Sequence, residues 1–129
     1  MIAVDTSSLS NFLKREGTAD AELVKKALVD GVLVLPPVVV AELFSSRSMN
    51  NSLRSAIQDM PVLDLKPGFW ERVGTNRATI LQAGKKARLA DVMIATCCLD
   101  HGVSIIARDS DFRHFSDHFG LNVQTGQSA

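Results

Sequence analysis

Short apolar runs alternate with helix-length segments along this chain, and that alternation limits the fold more than any other feature. Met1–Val4, Val32–Leu35, Val62–Leu65 and Val103–Ala107 have the length and composition of strands. Continuous apolar runs of this kind suit strands buried on both faces. The segments between them read as helices. Thr6, Ser7 and Ser8 follow the first run, with hydroxyls suited to cap the first amides of a helix. Ala19–Asp30 places Ala21, Val24 and Leu28 at amphipathic spacing and is ended by Gly31. Pro36 and Pro37 stop the second run, and Pro37 fits the first turn of a helix through Glu42. Asn50–Asp59 and Pro67–Ala83 predict two more helices, the second with Phe69, Trp70, Val73, Ile80 and Leu81 on or near its core face. Leu89–His101 is almost wholly apolar, which predicts a central buried helix, and Gly102 marks its end. Phe112–His118 reads as a short helical turn and Leu121–Val123 as an edge strand. Strands alternating with helices predict an α/β domain of three layers. Its central, mostly parallel sheet of about four to five strands is flanked by helices.

With 129 residues the chain is expected to form one domain, 1–129, with Thr125–Ala129 frayed. There is no internal repeat or linker. Lys and Arg number 14 and Asp and Glu 14, so a uniformly basic surface for indiscriminate nucleic-acid binding is excluded, while local basic patches are not. No apolar stretch approaches the roughly 20 residues that span a bilayer, and the start of the chain does not resemble a secretory signal. The cytoplasm is the expected location. Cys97 and Cys98 are adjacent in the apolar segment and suit buried thiols rather than a disulfide or a zinc site.

Carboxylates stand where apolar neighbours should exclude them. Asp5 ends the first run, Glu42 interrupts Val38–Phe44, Asp91 opens Val92–Ala95, and Asp109 follows Val103–Ala107 with Asp111 close behind. Burying a lone ionised carboxylate costs several kcal/mol, so acids beside core segments are usually paired, protonated or bound to a cation. Asp5 and Asp109 both follow strands, and in an open parallel sheet functional groups gather at the strands' carboxyl ends. Glu42 and Asp91 can reach the same edge. Such a cluster of hard oxygen ligands selects Mg²⁺ or Mn²⁺ and suits phosphodiester hydrolysis.

Each acid also has a plainer reading. Asp5 could cap a helix, Asp91 could sit favourably at a helix's positive end, and Asp109 and Asp111 could be turn residues. Convergence at one sheet edge is what those readings leave unexplained. His114 and His118 have the spacing of a helical metal pair but lack the intervening Glu of a zinc protease, so a solvated or capping role is favoured. His101 is expected to meet the terminal carbonyls of its helix, and Phe69 and Trp70 to be core rather than a base-stacking platform. Lys85, Lys86, Arg88 and Arg108 are candidates for contact with a nucleic-acid backbone. A solvated surface is the equal alternative.

The motifs V-D-T-S-S-L at Val4–Leu9, A-E-L at Ala41–Leu43, A-D-x-x-I-A at Ala90–Ala95 and A-R-D-S-D-F at Ala107–Phe112 resemble those of the PIN-domain ribonucleases. Among these they are most similar to the VapC-type toxins of toxin–antitoxin pairs. The resemblance runs over nearly the full chain. It implies a catalytic and metal-binding quartet of Asp5, Glu42, Asp91 and Asp109, with Asp111 able to share the last role and Thr6 and Ser7 in support. It further implies Mg²⁺- or Mn²⁺-dependent endonucleolytic cleavage of RNA, often tRNA, a homodimer, and inhibition by a cognate antitoxin protein. The chain departs from the family in having Ala107 where Thr or Ser is common. A PIN-like binding module with little turnover is the first alternative. An aspartate-nucleophile phosphatase is the second, and it generally wants an acid where Ser7 stands.

Overall fold

The computed structural model describes residues 1–108, 110 and 112–126. Strand β1 spans Ile2–Val4, β2 Leu33–Val34, β3 Ser104–Ile106 and β4 Val123–Gln124. All pair in parallel, in the order β2-β1-β3-β4. Register is set by Ile2 opposite both Leu33 and Ser104, with Ile105 opposite Val123. Parallel strands are covered on both faces, and Ala3, Val4, Leu33, Val34, Ile105 and Ile106 are accordingly all buried.

Helices α1 (Thr6–Leu13) and α2 (Ala19–Val29) join β1 to β2. The helices α3 (Pro37–Phe44), α4 (Asn51–Gln58), α5 (Phe69–Gln82) and α6 (Leu89–His101) lead back to β3, and α7 (Arg113–Phe119) connects β3 to β4. The first crossover and the later ones travel in opposite directions across the sheet. Right-handed connections therefore put α1 and α2 on one face and the remaining helices on the other. The result is the expected α/β three-layer domain. The direction of winding reverses between β1 and β3, and that reversal opens a crevice beyond their carboxyl ends.

Local chemistry explains most boundaries. Pro37 occupies the first turn of α3, and Asn50 caps α4 by accepting the Leu53 N–H at 2.9 Å. Gly102 ends α6 with a left-handed φ of 63°. Helix α6 is the buried central helix its composition predicts, with Val92, Ile94, Ala95, Thr96, Cys97 and Cys98 all inside. It packs against α3, α5 and α7.

Three expectations are corrected. Val62–Leu65 is not a strand: only Val62 forms a bridge, to Leu35. The flanking bonds Leu35 N–H to Pro61 O and Leu63 N–H to Leu35 O make one closed contact, after which Val62 and Leu65 face solvent. The next rung would need an N–H at residue 37, but Pro37 has none and already begins α3. Trp70 is 59 % exposed and Leu81 45 %, while Phe69, Val73 and Ile80 form the buried face of α5. Adjacent helical residues point about 100° apart, so Phe69 and Trp70 cannot both face inward. His101 donates its Nε2–H to the Asp64 carbonyl at 2.7 Å, rather than closing on its own helix.

The two cysteines are free and buried. Burial first, then the nearby charges of Asp100 and Asp64, pushes the Cys97 thiol up to about 11. Burial also raises Cys98, helped by Cys97 and Asp5. Neither forms a thiolate readily, so an aromatic disulfide reagent at pH 8 is expected to label the native protein far more slowly than the urea-unfolded chain. Equal rates would contradict this packing. At the other end of the chain, Gly126 has a φ of +78°, and a Cβ placed there would lie 2.6 Å from the Ala19 carbonyl oxygen. Gly126→Ala is therefore expected to lower stability by about 1–3 kcal/mol in a urea titration. An unchanged midpoint would mean that this terminal contact does not persist in solution.

Candidate active site

Strand β1 delivers Asp5 to the crevice. The Asp5 N–H continues the ladder by donating to Ile106 O at 2.9 Å, and its carbonyl accepts the first helical bond, from Leu9 N–H. Asp5 is thus the N-cap of α1 by position, but its side chain makes no capping bond. The expected Thr or Ser cap is also absent, because both hydroxyls serve acids. Ser7 Oγ donates to Asp5 Oδ2 at 2.8 Å, and Thr6 Oγ1 donates to Glu42 Oε1 at 2.6 Å across 36 residues of sequence. The plain capping reading of Asp5 is not what the side chain does.

A cleft of about 550 Å³ opens above this strand end. Asp5, Glu42 and Asp91 all line it, and they come from the turn between β1 and α1, from α3 and from the first turn of α6. Thr6, Ser7 and Ser10 of α1 add hydroxyls. Lys86 and Arg88, on the segment entering α6, bring positive charge to the same wall. Ser110 and His114, from the segment after β3, complete the lining. Asp5 is only 6 % exposed. Asp109 and Asp111 lie outside the described residues.

The cationic candidates divide. Lys86 and Arg88 reach the cleft, whereas Lys85 is exposed and not part of its lining. Arg108 is directed elsewhere, its Nε lying 3.9 Å from Asp20 Oδ2. His114 and His118 do not act as a pair: His114 faces the cleft, and His118 is exposed beside Phe119. Ala107 is fully buried, with its N–H on Gln124 O, and it does not line the cleft.

The donor set suits a hard divalent cation. Every lining acid or hydroxyl offers oxygen, which favours Mg²⁺ or Mn²⁺ over softer metals. Among the described residues, no three His, Cys, Asp or Glu side chains are grouped closely enough to cage a metal. Magnesium does not require a cage, since it retains several waters and is held by one or two carboxylates together with substrate phosphate.

Two residues of this region carried no distinctive sequence signal. His114 reads only as half of a histidine pair, and the crossover from β3 is what turns it inward. Asp20 reads as an ordinary first-turn acid of α2, yet it is 5 % exposed. Burial opposes its ionisation more than any other single influence. The hydroxyls of Thr18 and Ser8, the Asn11 amide and the Ala21 N–H together still hold its carboxyl below the usual carboxylate range. The Asn11 bond, at 3.2 Å, is a formed hydrogen bond. The Thr18 and Ser8 hydroxyls are buried without a bond of good geometry, so their effect is that of nearby dipoles.

A parallel α/β domain with carboxylates gathered at the switch point of its sheet defines the class. Comparison then supplies the family. The family model for the PIN domain matches residues 2–117, and the chain belongs to that family. No curated relative matches. Among solved structures, a toxin–antitoxin complex from Klebsiella pneumoniae is similar, with a TM-score of 0.71 at 16 % identity and all of both chains covered. VapBC2 from Rickettsia felis, bound to a DNA fragment from its promoter, gives 0.73 at 17 % identity, covering 96 % of this chain and 98 % of that one. VapBC-5 from Mycobacterium tuberculosis gives 0.67 at 18 % identity, with 95 % of each chain covered. At these identities the likeness establishes the shared fold.

Proposed function

We propose that the protein is a metal-dependent endoribonuclease, the VapC-type toxin of a toxin–antitoxin pair working in the cytoplasm. The observation that carries this reading is the arrival of Asp5, Glu42 and Asp91, from three distant segments, in one cleft walled by Lys86 and Arg88. Membership of the PIN family supports it, as does the recurrence of toxin–antitoxin assemblies among the similar structures.

In this reading Asp5, Asp91 and Asp109, with Glu42 and Asp111 as further candidates, hold Mg²⁺ or Mn²⁺. When bound, the cation polarises the scissile phosphate and lowers the pKa of the attacking water. The chain's own residues supply orientation. Ser7 fixes one oxygen of Asp5, and Thr6 fixes one oxygen of Glu42, so both carboxylates are restrained before substrate arrives. Lys86 and Arg88 draw the RNA backbone, with tRNA a candidate substrate, against the acids, and Lys85 extends that charge outward.

The deciding experiment is cleavage of a total-tRNA and mRNA mixture by purified protein with EDTA, Mg²⁺ or Mn²⁺. Discrete, metal-dependent fragments are expected. A folded protein that cuts nothing under either metal would instead favour a binding module. The same site makes a stability prediction: saturating Mg²⁺ or Mn²⁺ raises Tm by about 5 °C, read by calorimetry. No shift with either ion would count against a preformed metal site.

Two partners belong to the proposal. A cognate antitoxin whose tail enters the cleft would meet Asp5, Glu42 and Asp91 there, beside Lys86 and Arg88. A homodimer is supported by Trp70 and Leu81, exposed on one side of α5 and about three turns apart. Trp70→Glu combined with Leu81→Glu is expected to yield a monomer by light scattering. Persistence of the dimer would place its interface elsewhere.

A further inference from the structure

Asp20 lies outside the cleft and contributes nothing to its lining, yet it is buried and joins the segments that build it. Asn11 of α1 donates to Asp20 Oδ2 at 3.2 Å, and the Arg108 Nε lies 3.9 Å from the same oxygen. The Ser8 hydroxyl, also on α1, is fully buried beside this carboxylate with no hydrogen-bond partner of its own. Thr6, Ser7 and Ser10 of that same helix line the cleft. Arg108 lies two residues beyond the end of β3, is followed in the chain by Asp109, and lies two residues before Ser110 on the cleft wall. Asp20 therefore ties two cleft-forming segments together from a third that stays outside.

We propose that Asp20 is a positioning residue. Through Asn11 and Arg108 it fixes the segment after β3 relative to α1, and so sets the spacing across the cleft between Asp5, at the start of α1, and the wall that carries Ser110 and His114. This inference rests on the metal-dependent reading of the cleft. Burial of an acid solely to favour the start of α2 would not require a cation from another layer of the chain; a first-turn acid gains its interaction with the helix dipole while exposed. Outer partners that orient metal ligands characteristically change metal affinity or activity by about 10–100-fold when removed.

The test measures Mn²⁺ affinity by electron paramagnetic resonance of the free ion, and kcat and KM on total tRNA, for Asp20→Asn, Arg108→Gln and the double variant. Melting curves ensure that each is read well below its Tm. The expected result is Mn²⁺ affinity about ten-fold weaker in each single variant, with kcat falling more than KM rises. The double variant is expected to be no worse than the weaker single one, because the two residues act as one unit. Arg108 has an exposed side chain, so Arg108→Gln keeps the question open to measurement even if Asp20→Asn does not fold. Wild-type Mn²⁺ affinity and kcat in folded variants, with only Tm lowered, would overturn the inference and leave Asp20 a purely structural acid. A wild-type protein that neither binds Mn²⁺ nor cuts RNA would overturn the reading of the cleft itself, and this inference with it.

Discussion

Asp91→Asn and Asp5→Asn are each expected to lower RNA cleavage by roughly a hundred-fold or more while leaving the fold in place. An amide nearly matches a carboxylate in shape, so the packing around it is kept and the charge that would hold a divalent cation is lost. That loss corresponds to at least about 3 kcal/mol of barrier. The fold should tolerate both changes for separate reasons. Asp5 is an N-cap by position, and Asn serves there as well as Asp. Asp91 lies in the first turn of α6, where loss of charge at the helix's positive end costs only about 0.3–1 kcal/mol. Cleavage assays and thermal melts on the same preparations separate the two effects. Full activity in either variant removes that residue from the site. A matching loss of activity and of folded protein would instead show that the acid is structural.

Phe112→Ala is expected to be the most destabilising single truncation near the site, costing about 3–5 kcal/mol. The ring has no exposure and is among the largest fully buried side chains. It meets Phe115 with centroids 5.6 Å apart, and its carbonyl accepts the N–H groups of Phe115 and Ser116 at the start of α7. Ser110 and His114, on either side of it in the chain, both line the cleft. Removing the ring leaves a cavity under the segment that carries them, so loss of stability and loss of cleavage should come together. Urea titration gives the first and the tRNA assay the second. A cost under about 1 kcal/mol would show that this segment is not anchored through Phe112. Phe112→Leu should retain most of both properties, because much of the volume stays filled.

Most of the α/β pattern was legible because it is written in local periodicity. The apolar runs at Met1–Val4 and Val103–Ala107 contain β1 and β3, and the unbroken apolar face of Leu89–His101 marks α6 as buried. Val62–Leu65 shows where that logic fails. Its composition is that of a strand, but its partner ends at Pro36-Pro37, where no N–H is left for a second rung, and pairing is a property of the neighbour as much as of the run. Trp70 fails for another reason, since a large aromatic residue is read as core until the helix phase places it outside. The strand-end position of Asp5 was legible from sequence too. Its hydrogen bond from Ser7, and that of Glu42 from Thr6, were not, because a hydroxyl two or thirty-six residues away looks the same as a helix cap.

The sequence alone determined the alternation of strands and helices apart from Val62–Leu65, the α/β class, and the presence of acids too apolar in company to be ordinary surface charge. These follow from side-chain periods of about 3.6 and 2 and from the cost of burying charge, both readable within a few residues. Tertiary structure alone decided which acids share a cleft, that Lys86, Arg88 and His114 face it, and that Arg108 turns to a buried Asp20. Those outcomes depend on the strand order β2-β1-β3-β4, which reverses direction beside β1 and brings together residues that are far apart along the chain. No local rule encodes that order: it is chosen by which packing of all the helices on both faces buries the apolar surface with right-handed connections.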